Sequence, residues 1–253
     1  MSGLVITASG MVTAVGLDAA SSCAALRARI DGFAETRFIG ANGEWLIGAA
    51  VPLPRAWIGE KRLAHLAAGA VSDVLQGQDP SNTALILCLP EPDRPGRPIA
   101  DDTAFLTRIS NILELPTSIR SRIVAHGRPS GVAALERARR LLAEGQAKQV
   151  LIVGVDSYLT GRAIRHYLEE RRLLTPDNPE GFIPGEAAAA ILCRGDGPGL
   201  QVTGLGLARE PSPIFNRAGE DGYDLPFRAD GMTAAYKAAF AEAGCEHSEL
   251  GVN

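Results

Sequence analysis

Four apolar runs of strand length set the limits on this fold. They are Leu4–Gly10, Asn82–Pro90, Gln149–Ser157 and Ala187–Gly195. None alternates strictly between polar and apolar residues, so each expects cover on both faces. Between them lie segments of helical period: a helix begun by Asp18 over "AASSCAALRARI", then Lys61–Gln76, "DTAFLTRISNILEL" and Pro129–Glu144. Apolar strands alternating with helices predict an α/β protein with a mainly parallel sheet and helices on both faces. "EWLIGAAVP" reads as a weaker strand, "SRIVAHG" as a strand end and turn, and "RAIRHYLEERRLL" as a helix. "LQVTGLGLARE" reads as a further strand, Arg209–Asp230 as a long surface loop, and Gly231–Gly244 as a helix capped by Gly244.

Composition narrows the function. The net charge is −4, with 25 Lys+Arg among 29 Asp+Glu, which gives no reason to expect nucleic acid or an anionic membrane as partner. No run approaches roughly 18 apolar residues, so no membrane span is expected, and the N-terminus lacks the pattern of a secretory signal. Cys23, Cys88, Cys193 and Cys245 are far apart with no CxxC, which argues against a disulfide framework or metal site and for a cytoplasmic chain. Cys88, Cys23 and Cys193 read as packing residues. No cofactor is expected.

Three segments carry a resemblance. "VITASGMVTAVGLDAASSCAALRARIDGF" (Val5–Phe33) has a strand, a G-(M/V)-V-(T/S)-x-x-G turn and a helix; "VLIVGVDSYL" (Val150–Leu159) ends a strand on Asp-Ser. "LLTPDNPEGFIPGEAAAAILCRGD" (Leu173–Asp196) holds a G-F-x-x-G-E segment. In order and spacing they resemble the β-ketoacyl-carrier-protein synthases, condensing enzymes of the thiolase fold. The resemblance implies a layered α/β/α/β/α architecture. It divides the chain into an N-terminal ketosynthase-like domain, 1–200, and the start of a second half, 201–253. It assigns Gly154, Asp156, Gly185 and Glu186 to structural motifs, with Glu186 fixing a turn and Asp156 capping a following helix, and it places Phe182 at a substrate site.

In that family a cysteine stands at the N-terminus of a buried helix, where the helix dipole lowers its pKa and the thiolate attacks an acyl thioester. Aligning "GVAAL" (Gly131–Leu135) with the family's helix puts Arg128 at the nucleophile position. A guanidinium stays protonated and has no nucleophilic character. Ser130 and His126 are the remaining candidates for nucleophile and base. Each also has a structural reading: Ser130 as a first-turn hydroxyl serving a backbone N–H, His126 as a turn residue. Arg128 is expected to be buried, either binding an anion or pairing with a carboxylate such as Asp156 or Glu186. Arg137, Arg139 and Arg140 lie along the next helix, as a solvated face or a docking patch for an acyl carrier protein. His247 lacks the family's "HGT" context and is not taken as catalytic.

The resulting expectation is a catalytically impaired ketosynthase-like protein, a structural or binding subunit of an acyl-thioester system. Its expected partner is a second copy or a ketosynthase-like chain, met across "SRIVAHG". The alternative is an atypical acyltransferase or condensing enzyme acting on carrier thioesters.

Overall fold

A computed structural model describes residues 3–115, 121–212, 226 and 228–245. The chain divides into two compact units, one from Leu4 to Gly199 and one from Leu200 onward.

The first unit is built on β1 (Val5–Val12), β4 (Thr83–Cys88), β5 (Arg122–Val124), β6 (Gln149–Ser157) and β7 (Glu186–Arg194), in the spatial order β5-β4-β6-β7-β1. β4 runs parallel to β5 and β6, while β7 runs antiparallel to both β6 and β1. Four of these five strands therefore share one direction, and the sheet is mixed but mainly parallel.

In β4 and β6 the apolar runs are unbroken because both faces are covered, whereas β7 leaves Ala187 and Ala189 exposed and β1 leaves Ser9 exposed, so the two-sided cover expected of those runs is not found. Leu85, Leu87, Leu151, Val153 and Val155 share one core with α2 (Gly59–Val74) and α3 (Asp102–Ile112). Their strand neighbours Ala84, Ile86, Cys88, Val150 and Ile152 are also buried and point the other way, where α4 (Ser130–Ala143) packs on β4, β5 and β6. The helix α1 (Ala19–Arg27) begins where Asp18 accepts the Ser21 N–H at 2.6 Å.

Two elements differ from the sequence reading. Phe33–Ile39 forms a strand, β2, antiparallel to β3 (Trp45–Ala49) in a separate two-stranded sheet. The helix expected over "RAIRHYLEERRLL" is α5, Gly161–Glu169, and it ends before Arg171, whose φ is 51°. Beyond it, Asn178 Nδ2 donates to the carbonyls of Arg171 and Leu173 and folds residues 171–182 back on themselves. A Cβ at Gly181 would stand 2.1 Å from the Leu173 carbonyl carbon and oxygen, so this motif position admits only glycine.

In the second unit, β8 covers only Leu200–Gln201 and α6 spans Asp230–Ala243. The strand expected over "LQVTGLGLARE" stops there because residues 202–210 run without a ladder close along α6. A Cβ at Gly206 would stand 1.7 Å from the Ala235 carbonyl oxygen. Gly244 caps α6 in the left-handed conformation, with φ 68°. Most of the loop expected at 209–230, and His247, lie outside the described residues. No helix among the described residues is long and apolar enough to cross a membrane.

Candidate functional site

Because β4, β5 and β6 are parallel, their C-terminal ends open on the same edge of the sheet, the edge where parallel α/β sheets bind ligands. Three features gather there: the turn after β5, the loop after β4 and the Asp-Ser end of β6.

The turn carries the chain from β5 into α4. Gly127 takes φ 65°, and its N–H donates to the Leu89 carbonyl at 3.1 Å, tying the turn to the end of β4. A Cβ at this position would also meet the Glu91 carboxylate, with Oε1 2.1 Å away. Glycine is therefore favoured by conformation, while the Glu91 carboxylate, at the end of a flexible side chain, could move aside. Arg128 follows at the apex and is exposed. The expected burial is not found: Asp156 and Glu186, its expected counter-charges, are held by other arginines.

Ser130 is the first residue of α4 and is 2% exposed. Its Oγ accepts the His126 N–H at 3.0 Å and donates to the Leu89 carbonyl at 3.4 Å. The hydroxyl thus closes the turn, its structural reading, rather than facing solvent. His126 is exposed.

Asp156 leaves the sheet at the end of β6. Its Oδ1 accepts from Arg94 Nη2 at 2.6 Å and from the Ser157 N–H at 2.7 Å. Burial pushes its carboxyl above the ordinary value, and the Arg94 guanidinium works against that shift. It does not cap α5: Thr160 does, accepting the Ala163 N–H at 3.2 Å. Arg94 comes from the proline- and charge-rich loop after β4. Its side chain is 6% exposed and stacks 4.6 Å from the Tyr158 ring, and its Nε and Nη1 have no hydrogen-bond partner.

Glu186 opens β7 and its side chain is 1% exposed. Arg62 Nε donates to both carboxylate oxygens at 2.8 and 3.0 Å, the Val51 N–H to Oε1 at 3.0 Å and Ser157 Oγ to Oε2 at 3.1 Å. A carboxylate with all its lone pairs engaged is a structural anchor, joining α2, the chain after β3 and the end of β6.

Phe182 packs edge-on to Tyr158 and Tyr167, with centroids 5.4 Å apart in both pairs, beside Leu46, Ile164 and Leu173. A Cβ at Gly185, just before β7, would stand 3.3 Å from the Ala49 Cβ, whereas one at Gly154 in β6 would meet Cys88 at an ordinary 3.8 Å. Cys88 ends β4 buried, and burial pushes its thiol up to about 11; Cys193 reaches about 12 for the same reason. On α4, Glu136 holds Arg139 and Arg140 at 2.5 and 2.9 Å, while Arg137 is exposed. No group of three or more potential metal ligands clusters among the described residues.

The structure therefore brings Arg128, Ser130, His126, Glu91 and Asp156 to one edge of the sheet, anchors Glu186 beside Ser157 through Arg62, and leaves Phe182 in a packing role. Arg62, Arg94 and Glu91 were not legible in the sequence. The only available signal for Arg94 and Glu91 was that their loop directly follows a buried apolar strand.

This architecture is the thiolase-like α/β fold, and the solved structures that share it include ketosynthases. The ishigamide ketosynthase/chain length factor matches with a TM-score of 0.64 at 21% identity, over 96% of this chain and 74% of that one. The oxazolomycin ketosynthase domain of Streptomyces albus JA3453 matches with a TM-score of 0.70 at 16% identity, over 98% of this chain and 53% of that one. A type II PKS acyl-carrier protein in complex with its ketosynthase bound to the hexaketide matches with a TM-score of 0.73 at 14% identity, over 98% and 71%. The chain thus spans between about half and three quarters of these neighbours' lengths. No family model and no curated protein matches the sequence.

Proposed function

We propose that this chain is a ketosynthase-like protein of the β-ketoacyl-carrier-protein synthase family that performs no condensation from its own nucleophile position. It serves instead as a structural or binding subunit of an acyl-thioester system. The observation that carries the reading is Arg128 at the apex of the β5–α4 turn, in a frame that otherwise matches the family's nucleophile turn. Neighbouring groups do not compensate. Ser130 Oγ is engaged by two backbone groups, and the Cys88 thiol is buried and fully protonated at neutral pH. These points favour the impaired reading over an atypical acyltransferase that uses Ser130.

The partner in this reading is a second copy or a ketosynthase-like chain. β5 lies at the edge of the sheet, where another strand can add to it. Two neighbours support the class of assembly: one is a ketosynthase/chain length factor, the other a ketosynthase in complex with an acyl-carrier protein. Docking of an acyl carrier protein would use Arg137, the arginine of the α4 triplet not held by Glu136. The domain division, with 201–253 as the start of a second half, belongs to this same reading, as does a cytoplasmic location.

The test is incubation of the full chain with malonyl- and acyl-loaded carrier protein, followed by analysis of the carrier-bound products. The reading predicts unchanged substrates; a β-ketoacyl product would overturn it.

A further inference from the structure

Both tryptophans of the chain, Trp45 and Trp57, line one open cleft of about 680 Å³. The cleft is bounded by β2, β3, residues 50–57, the start of α2 and the segment 157–160. No residue of the β5–α4 turn lines it, although Pro98 of the loop after β4 and Ser157 at the end of β6 do. Its volume falls within the range of small-molecule sites.

Its polar groups can be sorted by what already occupies them. Glu186 and Arg62 satisfy each other, with Val51 and Ser157 completing the carboxylate's bonds. Thr36 Oγ1 donates to the Leu46 carbonyl at 2.8 Å, and Thr160 Oγ1 donates to the Gly96 carbonyl at 3.0 Å. The cleft's buried acid is thereby neutralised, and its hydroxyls are engaged. The guanidinium groups of Arg37 and Arg55 remain, both exposed at the rim, and neither makes an ion pair among the described residues. Arg37 lies over the Phe38 ring, 5.4 Å from its centroid. Glu35, also exposed, is the single unneutralised acid of the lining.

The apolar lining sets the rings of Phe38, Trp45 and Trp57 among aliphatic side chains such as Leu53, Leu63 and Leu159. Trp57 is already braced, with His65 stacked 3.8 Å from it and His65 Nδ1 2.8 Å from the Lys61 carbonyl. Bracing fixes the indole, so a ligand would meet a preformed face at little ordering cost. Trp45 is 50% exposed, an unusual cost for so large an apolar ring unless something covers it.

We infer that this cleft binds a small organic anion with a planar apolar body, the body lying against Trp45 and Trp57 and the anionic group held by Arg37 and Arg55. The inference is independent of whether the protein is catalytically impaired.

The test uses 2-naphthoate as probe on the full chain, with neutral 2-naphthamide as its isostere, and follows the indole N–H signals by NMR. Because the chain has two tryptophans, both signals report from this cleft. The inference predicts saturable shifts of both signals with naphthoate. It predicts affinity weaker by about tenfold or more when Arg37→Ala and Arg55→Ala are combined, the loss expected of one or two charge-assisted contacts. Naphthamide should bind weakly and equally to both proteins. The double substitution is at exposed positions and should leave the rest of the spectrum in place. Shifts that fail to saturate, naphthamide bound as tightly as naphthoate, or a double variant of unchanged affinity would each overturn it.

Discussion

In the proposed reading, residue 128 decides the chemistry of the sheet edge, because a guanidinium at the nucleophile position has no thiolate to offer. The buried thiols are poor substitutes. Cys88 ends a buried strand and its thiol is pushed up to about 11, while Cys245 is exposed. At pH 7.5, iodoacetamide should modify Cys245 first, with Cys88 and Cys193 unreacted in the folded protein; mass mapping of the labelled peptides checks this. Equal labelling of Cys88 would contradict the burial argument. The sign of the stability effect follows from the same shift. Cys88 has a folded pKa above its unfolded one, so its contribution is complete below pH 9 and is lost as pH rises toward 11. At this scale the sequence was only partly legible. Arg128 was found by its position in a motif, but its exposure was not. Its expected counter-charges belong to Arg94 and Arg62, which lie 62 and 124 residues from them in the chain. No local pattern announces such contacts.

Among the elements, β4 and β6 were legible because cover on both faces leaves a continuous apolar run; β1 and β7 were legible as apolar runs too, but the expected two-sided cover fails there, with Ser9, Ala187 and Ala189 exposed. Strand β2 was not. Its sequence "FAETRFI" is largely exposed and holds only by pairing with β3, so it carries no burial signature of its own. The expected strand over 200–210 was misread because Gly204 and Gly206 serve close approach to the α6 backbone rather than a place in a sheet. The same physics explains the Gly181–Ala189 motif. Gly181 is set against the Leu173 backbone, which cannot move aside as a flexible side chain could. Gly181→Ala should cost about 2–4 kcal/mol in chemical denaturation, whereas a glycine-to-alanine change in a compatible site stabilises by about 0.4–1 kcal/mol. A loss below about 1 kcal/mol would show that the 171–182 turn adapts freely.

For the whole molecule, the thiolase-like fold places the β5–α4 turn, a carboxylate-bearing strand end and an edge strand on one sheet. Fold and function separate at this level: the architecture was readable from the order and spacing of the motifs, whereas the proposed loss of chemistry rests on one side chain. The account holds that the β5–α4 turn still presents residue 128 as a nucleophile would be presented. The most direct test is intact-mass analysis of the wild-type chain and of Arg128→Cys after exposure to an acyl thioester. The account predicts no added mass on the wild type and one acyl group on the variant, at residue 128. An acyl group on the wild-type chain, or a folded Arg128→Cys variant that stays unmodified, would contradict it.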